Sequence, residues 1–207
     1  MKKQVSLAIL SMLAMLYVNA QDSGDFEFGI HSGLNLANVT VSEGQTDTNT
    51  RVSFNAGISS EYYFSDRWGL KAKLIYDSKG WANGFIEDEE NNSSTTTNFK
   101  LNYLSIPIMA NWHFGSNRNW YLNFGPYMGL LISAKDSELG MNVKEAFKTT
   151  DLGLALGIGC KFRVSDNAQL FIEFDGQSGF VDIFEENPWS SLNNGRSSLN
   201  FGVLFGL

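Results

Sequence analysis

Residues 150–162 read T-D-L-G-L-A-L-G-I-G-C-K-F and alternate strictly between two kinds of side chain. One set is large and apolar, namely Leu152, Leu154, Leu156, Ile158, Cys160 and Phe162. The other set is small or charged, namely Asp151, Gly153, Ala155, Gly157, Gly159 and Lys161. Successive side chains of a β-strand point to opposite faces, whereas a helix would scatter the leucines around its circumference. The stretch therefore predicts a β-strand with one apolar face.

The difference in size between the two faces favours a barrel in a membrane. In a small closed barrel, large apolar side chains meet lipid while small or polar side chains fill a narrow interior. A soluble lipocalin-like barrel is the main alternative. It would bury the large face inside, and eight such strands would overfill a small interior. In the membrane interpretation Cys160, the only cysteine, faces lipid.

Residues 1–20 have the features of a secretory signal peptide. Lys2 and Lys3 precede an apolar run from Val5 to Val18, and Ala20 supplies a small residue at the expected cleavage position. An N-terminal membrane anchor is disfavoured, because a spanning helix needs about 20 apolar residues and this run is shorter. The predicted organisation is a signal peptide at 1–20 followed by one barrel domain at 21–207.

The charge of the chain limits its partners. Removing Lys2 and Lys3 lowers the basic count from 15 to 13 against 22 acidic residues, which gives a net charge of −9. Such an acidic chain is a poor match for nucleic acid, so no nucleic-acid partner is expected. Sixteen phenylalanines, five tryptophans and 20 glycines fit a β-protein with aromatic girdles.

The same alternation recurs along the chain and predicts eight strands. They cover approximately residues 25–36, 51–64, 68–77, 99–114, 120–134, 150–162, 169–177 and 199–207. The acidic and hydroxyl-rich stretch 80–98 is predicted to be a long loop. Pro107 falls inside the fourth strand, where its missing N–H predicts a bulge or a missing ladder bond.

The lengths of the connections predict the orientation of the barrel. Connections after strands one, three, five and seven are long, and those after strands two, four and six are short. Long extracellular loops and short periplasmic turns are typical of outer-membrane barrels, and an even strand count returns both termini to the periplasm. The predicted fold class is all-β, an eight-stranded antiparallel up-and-down transmembrane β-barrel, monomeric and surrounded by outer-membrane lipid.

Three segments resemble a known family. They are N-Y-L-S-I-P-I-M-A-N-W at 102–112, Y-L-N-F-G-P-Y-M-G-L-L-I-S-A at 121–134 and D-L-G-L-A-L-G-I-G at 151–159. They resemble the PorT-like outer-membrane β-barrel domains of Bacteroidetes-type bacteria. This resemblance implies the fold and the location, and it raises a role in a protein secretion or assembly apparatus, since the named member belongs to a gliding-associated secretion system.

Candidate residues for chemistry are few, and we predict no catalytic, cofactor-binding or metal-binding residue. His31 should face the interior and His113 should lie near the periplasmic rim, and neither has a partner at metal-ligand spacing. A membrane-embedded lipid-modifying enzyme would need a nucleophile and a base on the outer face. Ser32 and Ser178 are the polar exceptions there, and neither has a histidine in register.

The remaining features concern the interior and the loops. Three inward lysines are expected to be neutralised by inward acids, the set being Lys71, Lys73, Lys161, Glu27, Glu61, Asp151, Glu173 and Asp175. The run Glu87–Glu90 fits either a hard cation or, more often, a solvated loop. Six loop aromatics either anchor a partner or pack onto the rim, namely Trp81, Phe85, Phe147, Phe180, Phe184 and Trp189. The predicted function is non-enzymatic surface binding or envelope structure through the extracellular loops, and the alternative is a secretion component with a protein partner.

Overall fold

The chain folds into one closed barrel of eight antiparallel strands, which confirms the predicted fold class. The computed structural model describes residues 24–41, 49–88, 93–186 and 191–206, without the side chains of Val41, Glu87, Asp88 and Ser93. The predicted signal peptide lies outside these residues. The strands are β1 (Phe26–Val41), β2 (Arg51–Tyr63), β3 (Trp68–Asp88), β4 (Ser93–Phe114), β5 (Trp120–Asp136), β6 (Thr150–Arg163), β7 (Ala168–Gly179) and β8 (Leu192–Gly206).

Each strand pairs with its neighbours in sequence, and β1 closes the ring by pairing with β8 from Glu27↔Gly206 to Val41↔Leu192. The predicted faces are confirmed on β6, where Leu154 is 53% exposed while Asp151 and Lys161 are buried. Inward residues meet other strands across the interior, and outward ones form an apolar belt. The part of the chain that the structure describes contains no helix long and apolar enough to cross a membrane.

The barrel has two different ends. The start of β1, the end of β8 and the connections 64–67, 115–119 and 164–167 lie at one end, which we call the turn end. The strand ends that are joined by the connections 42–50, 89–92, 137–149 and 180–191 lie at the other, which we call the loop end. The connection 137–149 contains a short 3₁₀-helix at Lys144–Ala146.

The prediction of a long loop at 80–98 is wrong, because β3 and β4 continue as a paired hairpin up to Asp88↔Ser93. A register shift between Trp81 and Gly84 separates this extension from the barrel wall. Threonines 95 to 97 are β-branched and favour an extended backbone. The stretch was predicted to be a loop because its composition is polar. Of the acidic residues, Glu87 and Asp88 are the last two of β3.

The last strand was also predicted too short, because β8 begins at Leu192 rather than near residue 199. Its early outward positions, Asn193, Gly195 and Ser197, are small or polar and give no apolar alternation. Its early inward positions are buried, and Arg196 among them is held by acidic side chains inside the barrel.

The ladder between β3 and β4 is interrupted at Pro107, as predicted. Pairing runs to Ala72↔Ile108 and resumes in the same register at Ile75↔Ser105. Proline has no N–H to donate, so the pairs opposite Ile106 and Pro107 are missing without a register shift. A bulge between β4 and β5 at Asn102 and Tyr103 had no sequence signal.

Cys160 corrects the prediction of a lipid-exposed thiol. Its position in the register is outward, between Trp120 on β5 and Ile172 on β7. The side chain is nevertheless only 5% exposed, and the Asn119 amide donates to its sulfur over 3.7 Å. The thiol therefore points outward but is covered by protein rather than by lipid.

Candidate functional site

A chain of alternating charges runs through the barrel interior. Its members, in order of contact, are Glu27, Lys161, Glu61, Lys71, Glu173, Lys73, Asp175, Arg196 and Asp77. All nine side chains are buried. Charges taken out of water are costly unless they are paired, and the alternation of sign gives each member of this chain an oppositely charged neighbour. The Lys71 ammonium group makes no hydrogen bond within the described residues and is held by its ion pairs, at 3.8 and 3.9 Å.

The turn-end part of this chain is organised around Glu61. Its carboxylate accepts hydrogen bonds from the Asn111 amide at 2.8 Å and lies 2.7 Å from His113 Nε2. Lys161 lies 3.9 Å from Glu61 and donates to Glu27 at 2.8 Å. His113 was predicted at this rim, and the structure adds its carboxylate partner, which the sequence did not indicate.

The middle part crosses the full width of the barrel. Lys73 on β3 pairs with Glu173 on β7, and these strands are four positions apart in a ring of eight. Glu173 also accepts from the Asn123 amide at 2.9 Å and lies 3.8 Å from Lys71. The Lys71 ammonium group additionally lies 4.5 Å from the centre of the Tyr121 ring. Opposite walls are thus joined directly through side chains.

The loop-end part contains a second ion pair. Lys79 donates to Asp151 at 2.9 Å, and the same carboxylate accepts from the Tyr127 hydroxyl and the Asn194 amide, each at 3.1 Å. The Lys79 ammonium group also lies 4.3 Å from the centre of the Tyr127 ring.

The predicted neutralisation of the inward lysines is confirmed, with one change of partner. Lys71, Lys73 and Lys161 all contact predicted acids. Asp151 instead pairs with Lys79, which lies just beyond the end of the predicted third strand. Lys79 and Arg196 were missed because both lie in parts of β3 and β8 that extend beyond the predicted strands.

An aromatic cap covers the loop end of the interior. Its buried members are Val39, Trp81, Phe99, Leu101, Tyr103, Leu131, Ala134, Phe147 and Ile183. Trp81 stacks on Phe99 with ring centres 4.6 Å apart, and Phe147 stacks on Phe184 at 4.8 Å. Three of the six loop aromatics, Trp81, Phe147 and Phe184, therefore pack onto the rim.

The two longest connections at the loop end pair with each other. Phe147 and Phe184 form a β-bridge, Lys148 N–H donates to the Ile183 carbonyl at 2.8 Å, and Glu185 N–H donates to the Ala146 carbonyl at 3.1 Å. We call the described part of these connections, residues 137–149 and 180–186, the loop platform. Phe180 in it is 62% exposed, and Phe85 on the neighbouring hairpin is 65% exposed.

One edge of the loop platform is a turn built on Asp136. Its carboxylate accepts from Leu139 N–H at 2.6 Å and Met141 N–H at 2.7 Å, and Gly140 between them has φ +69°. Leu139 and Met141 are 51% and 49% exposed. Sequence reasoning missed this pair because it looked only for aromatic anchors.

The wall of the barrel has a seam between β2 and β3 near the loop end. Their ladder ends at Asn55↔Asp77, and beyond it the described residues form one further backbone bridge, Asn49↔Ala82. Side chains replace the missing ladder: the Ser53 hydroxyl donates to the Ser78 carbonyl at 2.6 Å, and Arg51 donates to the Lys79 carbonyl at 2.9 Å. The seam is closed by polar contacts rather than by backbone pairing.

The other residues considered for chemistry lie apart from one another. His31 faces the interior as predicted, with its ring centre 6.4 Å from that of Phe171. Ser32 and Ser178 are exposed on the outer face, whereas both histidines are buried inside. Over the described ranges, no group of three or more histidine, cysteine or acidic residues could hold a metal ion. The side chains of Glu87–Glu90 and all of Trp189 lie outside the described residues.

Comparisons with known proteins agree with this architecture. OprG from Pseudomonas aeruginosa shares the fold with a TM-score of 0.52 and 10% identity, over 92% of this chain and 99% of that chain. Neisserial surface protein A shares it with a TM-score of 0.50 and 21% identity, over 86% of this chain and 96% of that chain. Comparison with curated proteins gave no match. Residues 19–185 match a family of outer-membrane barrels, and on this evidence the chain belongs to the outer membrane protein beta-barrel domain family.

Proposed function

We propose that this protein is a non-enzymatic outer-membrane barrel with a filled interior, which acts at the cell surface through the loop platform and the β3–β4 hairpin. The loop end would be extracellular, and both termini would lie in the periplasm after removal of a signal peptide. Short turns at one end and long connections at the other support this orientation, since outer-membrane barrels are built in that way.

The observation that carries the proposal is the exposure of apolar side chains on an ordered backbone at the loop end. Leu139 and Met141 project from a turn fixed by the Asp136 carboxylate, and Phe85 and Phe180 are exposed beside the loop platform. Exposed apolar side chains held in place lose little freedom on binding, and such anchors ringed by polar groups are typical of protein interfaces.

The interior supports a binding or structural role rather than transport. The pair Lys73 and Glu173 crosses the barrel, and the aromatic cap lies over the loop end. An eight-stranded barrel is only wide enough for its side chains to fill it.

The alternative is a component of a PorT-like secretion or assembly apparatus. Such a role needs a lateral or periplasmic contact, and a row of outward aromatics at the turn end supplies a surface for one. The row consists of Trp68, Trp112, Phe114 and Trp120, with successive ring centres 5.1–6.4 Å apart. Rings at this level also serve as an ordinary interfacial girdle, so we place this function second.

Trimming the loop end separates the two functions. In one variant an Asn-Gly turn replaces residues 82–98 and the exposed anchors of the loop platform are made polar by Leu139→Ser, Met141→Ser and Phe180→Ser. This removes the hairpin and the exposed apolar side chains but keeps Trp81 and Phe99 in the cap. In the matched control, Trp112→Leu/Trp120→Leu, the loop end is intact and the aromatic row is interrupted. Heat-modifiable migration on gels would confirm that each barrel folds, and the surface and secreted proteomes of a complemented deletion strain would be compared.

The surface-binding function predicts that the control restores the wild-type proteomes and the trimmed variant does not. Full restoration by the trimmed variant, together with failure of the control, would contradict it and favour the secretion role.

A further inference from the structure

Two lysines face each other on the outside of the barrel at the loop end. Lys100 on β4 and Lys135 on β5 are direct cross-strand partners, and both are exposed. Side chains that are directly opposite on one face of a sheet have Cβ atoms about 4.5–5.5 Å apart, and like charges in that arrangement are destabilising.

Neither lysine finds an acidic partner in the described part of the chain. The other cross-strand neighbour of Lys100 is Gly80, and that of Lys135 is Asn142 in the loop platform. The neighbours two residues away on the two strands are also uncharged, namely Asn98, Asn102, Ser133 and Ser137. Asp136, which follows Lys135, is turned away to hold the loop amides of Leu139 and Met141. The interior of the same barrel pairs its charges, so this unneutralised pair is unusual within the molecule.

The position of the pair relates it to the membrane. Toward the turn end, the next cross-strand pair is Asn102↔Ser133, in which the amide donates to the hydroxyl at 3.0 Å. Below it the apolar belt begins with Leu104↔Leu130 and with Ile132, which is 48% exposed. On the outward face of β4 and β5 the lysines are thus the first charged groups above the apolar belt, with polar hydrogen-bonding groups and then apolar surface directly beneath them.

We infer that Lys100 and Lys135 bind the phosphate group of a membrane lipid in the leaflet at the loop end. One phosphate placed between two ammonium groups removes their repulsion and gains charge-assisted hydrogen bonds. Asn102 and Ser133 are positioned to hydrogen-bond the ester oxygens of the headgroup. Leu104, Leu130 and Ile132 are positioned to pack against an acyl chain. The acyl contact commits the site to a phosphorylated lipid rather than to free phosphate. This inference concerns the barrel wall and does not rest on the proposed surface-binding function.

The test uses the purified full chain in neutral detergent micelles, with three additives: phosphatidic acid, diacylglycerol with the same acyl chains, and inorganic phosphate. Thermal unfolding is followed by the heat-dependent gel shift, and retained lipid is counted by native mass spectrometry. The test variants are Lys100→Gln/Lys135→Gln and Lys100→Glu. The control, Lys144→Gln/Arg163→Gln, removes two positive charges away from the pair.

Phosphatidic acid should raise the unfolding midpoint of the wild type and of the control, while diacylglycerol and inorganic phosphate should have little effect. The double variant should bind phosphatidic acid at least about tenfold more weakly, because it loses the hydrogen bonds to a charged group. Without lipid, the ranking of the unfolding midpoints of the variants and the wild type should reverse. Both test variants should then unfold at a higher midpoint than the wild type, since the lysine repulsion is gone, and Lys100→Glu should gain most through its new ion pair with Lys135.

Three results would overturn the inference. An unchanged response of the double variant to phosphatidic acid would show that these lysines do not bind it. An equal response of the wild type to diacylglycerol would show that the phosphate is not recognised. An equal response to inorganic phosphate would indicate a simple anion site instead of a lipid site.

Discussion

Single buried charges in this barrel depend on partners from distant strands. Glu173 contacts Lys73, Lys71 and Asn123, and these residues come from β3 and β5. Removing one partner of such a pair leaves the other charge buried without compensation, which is the costly case, whereas removing both can be nearly neutral.

We expect Glu173→Leu to lower the free energy of unfolding by about 3–5 kcal/mol, because Lys73 and Lys71 then remain charged inside the barrel. The double variant Glu173→Leu/Lys73→Met should recover part of this loss. Urea unfolding in lipid vesicles measures both changes. Asp166→Asn, which breaks only the exposed pair with Arg163, is the control and should change little. A loss for Glu173→Leu no greater than that of the control would show that the interior charges are not coupled.

At Cys160, exposure depends on its neighbours more than on its own orientation. We expect both a membrane-impermeant and a lipid-partitioning maleimide to react slowly with the wild type, because the thiol is 5% exposed. Trp120→Ala should accelerate only the lipid-partitioning reagent, since Trp120 is the outward cross-strand neighbour of Cys160. The labelled fraction over time measures this. Faster labelling by the impermeant reagent would mean that the thiol reaches water instead.

The strands show what alternation can and cannot predict. On β5 and β6 the outward residues are large and the inward residues are mostly small, so the sequence predicts both the strand and the direction of its two faces. The loop-end segments of β3, β4 and β8 were missed because many of their outward residues are small or polar, so the period-two signal fades there. The pairing of Lys73 with Glu173 could not be predicted either, since the inward residues that meet depend on strand tilt and register stagger.

The hairpin extension can be tested by cross-linking. In a Cys160→Ser background, Phe85→Cys/Thr96→Cys places two thiols on directly opposite residues, and we expect them to form a disulfide under mild oxidation. The control, Phe85→Cys/Ser94→Cys, moves one thiol two residues along the same face and should cross-link less. Mass spectrometry of proteolytic fragments measures the yield. Equal yields from both variants would indicate a loop without fixed register.

At the scale of the whole molecule, the interior takes the place of a hydrophobic core. Ion pairs join β3 to β7, β6 to β1 and β8 to β3, so strands that are not neighbours in the sheet are held together through side chains. Space is so limited that an added Cβ at Gly159 would overlap the Tyr121 ring. The polar interior and the apolar exterior therefore depend on each other. The membrane solvates the outward face, and the network of side chains takes the place of water inside.

This architecture predicts a barrel that does not conduct. The wild type in planar bilayers should give no stable, large current steps, because the Lys73–Glu173 pair spans the interior and the aromatic cap lies over the loop end. The variant Trp81→Ala/Phe147→Ala removes two rings of the aromatic cap but leaves the chain of charges beneath it intact. It should therefore also give no stable, large current steps. Large steps from the cap variant alone would assign the barrier to the aromatic cap. Stable large steps from the wild type would show that the buried charges line an open path, and the filled interior would then have to be abandoned.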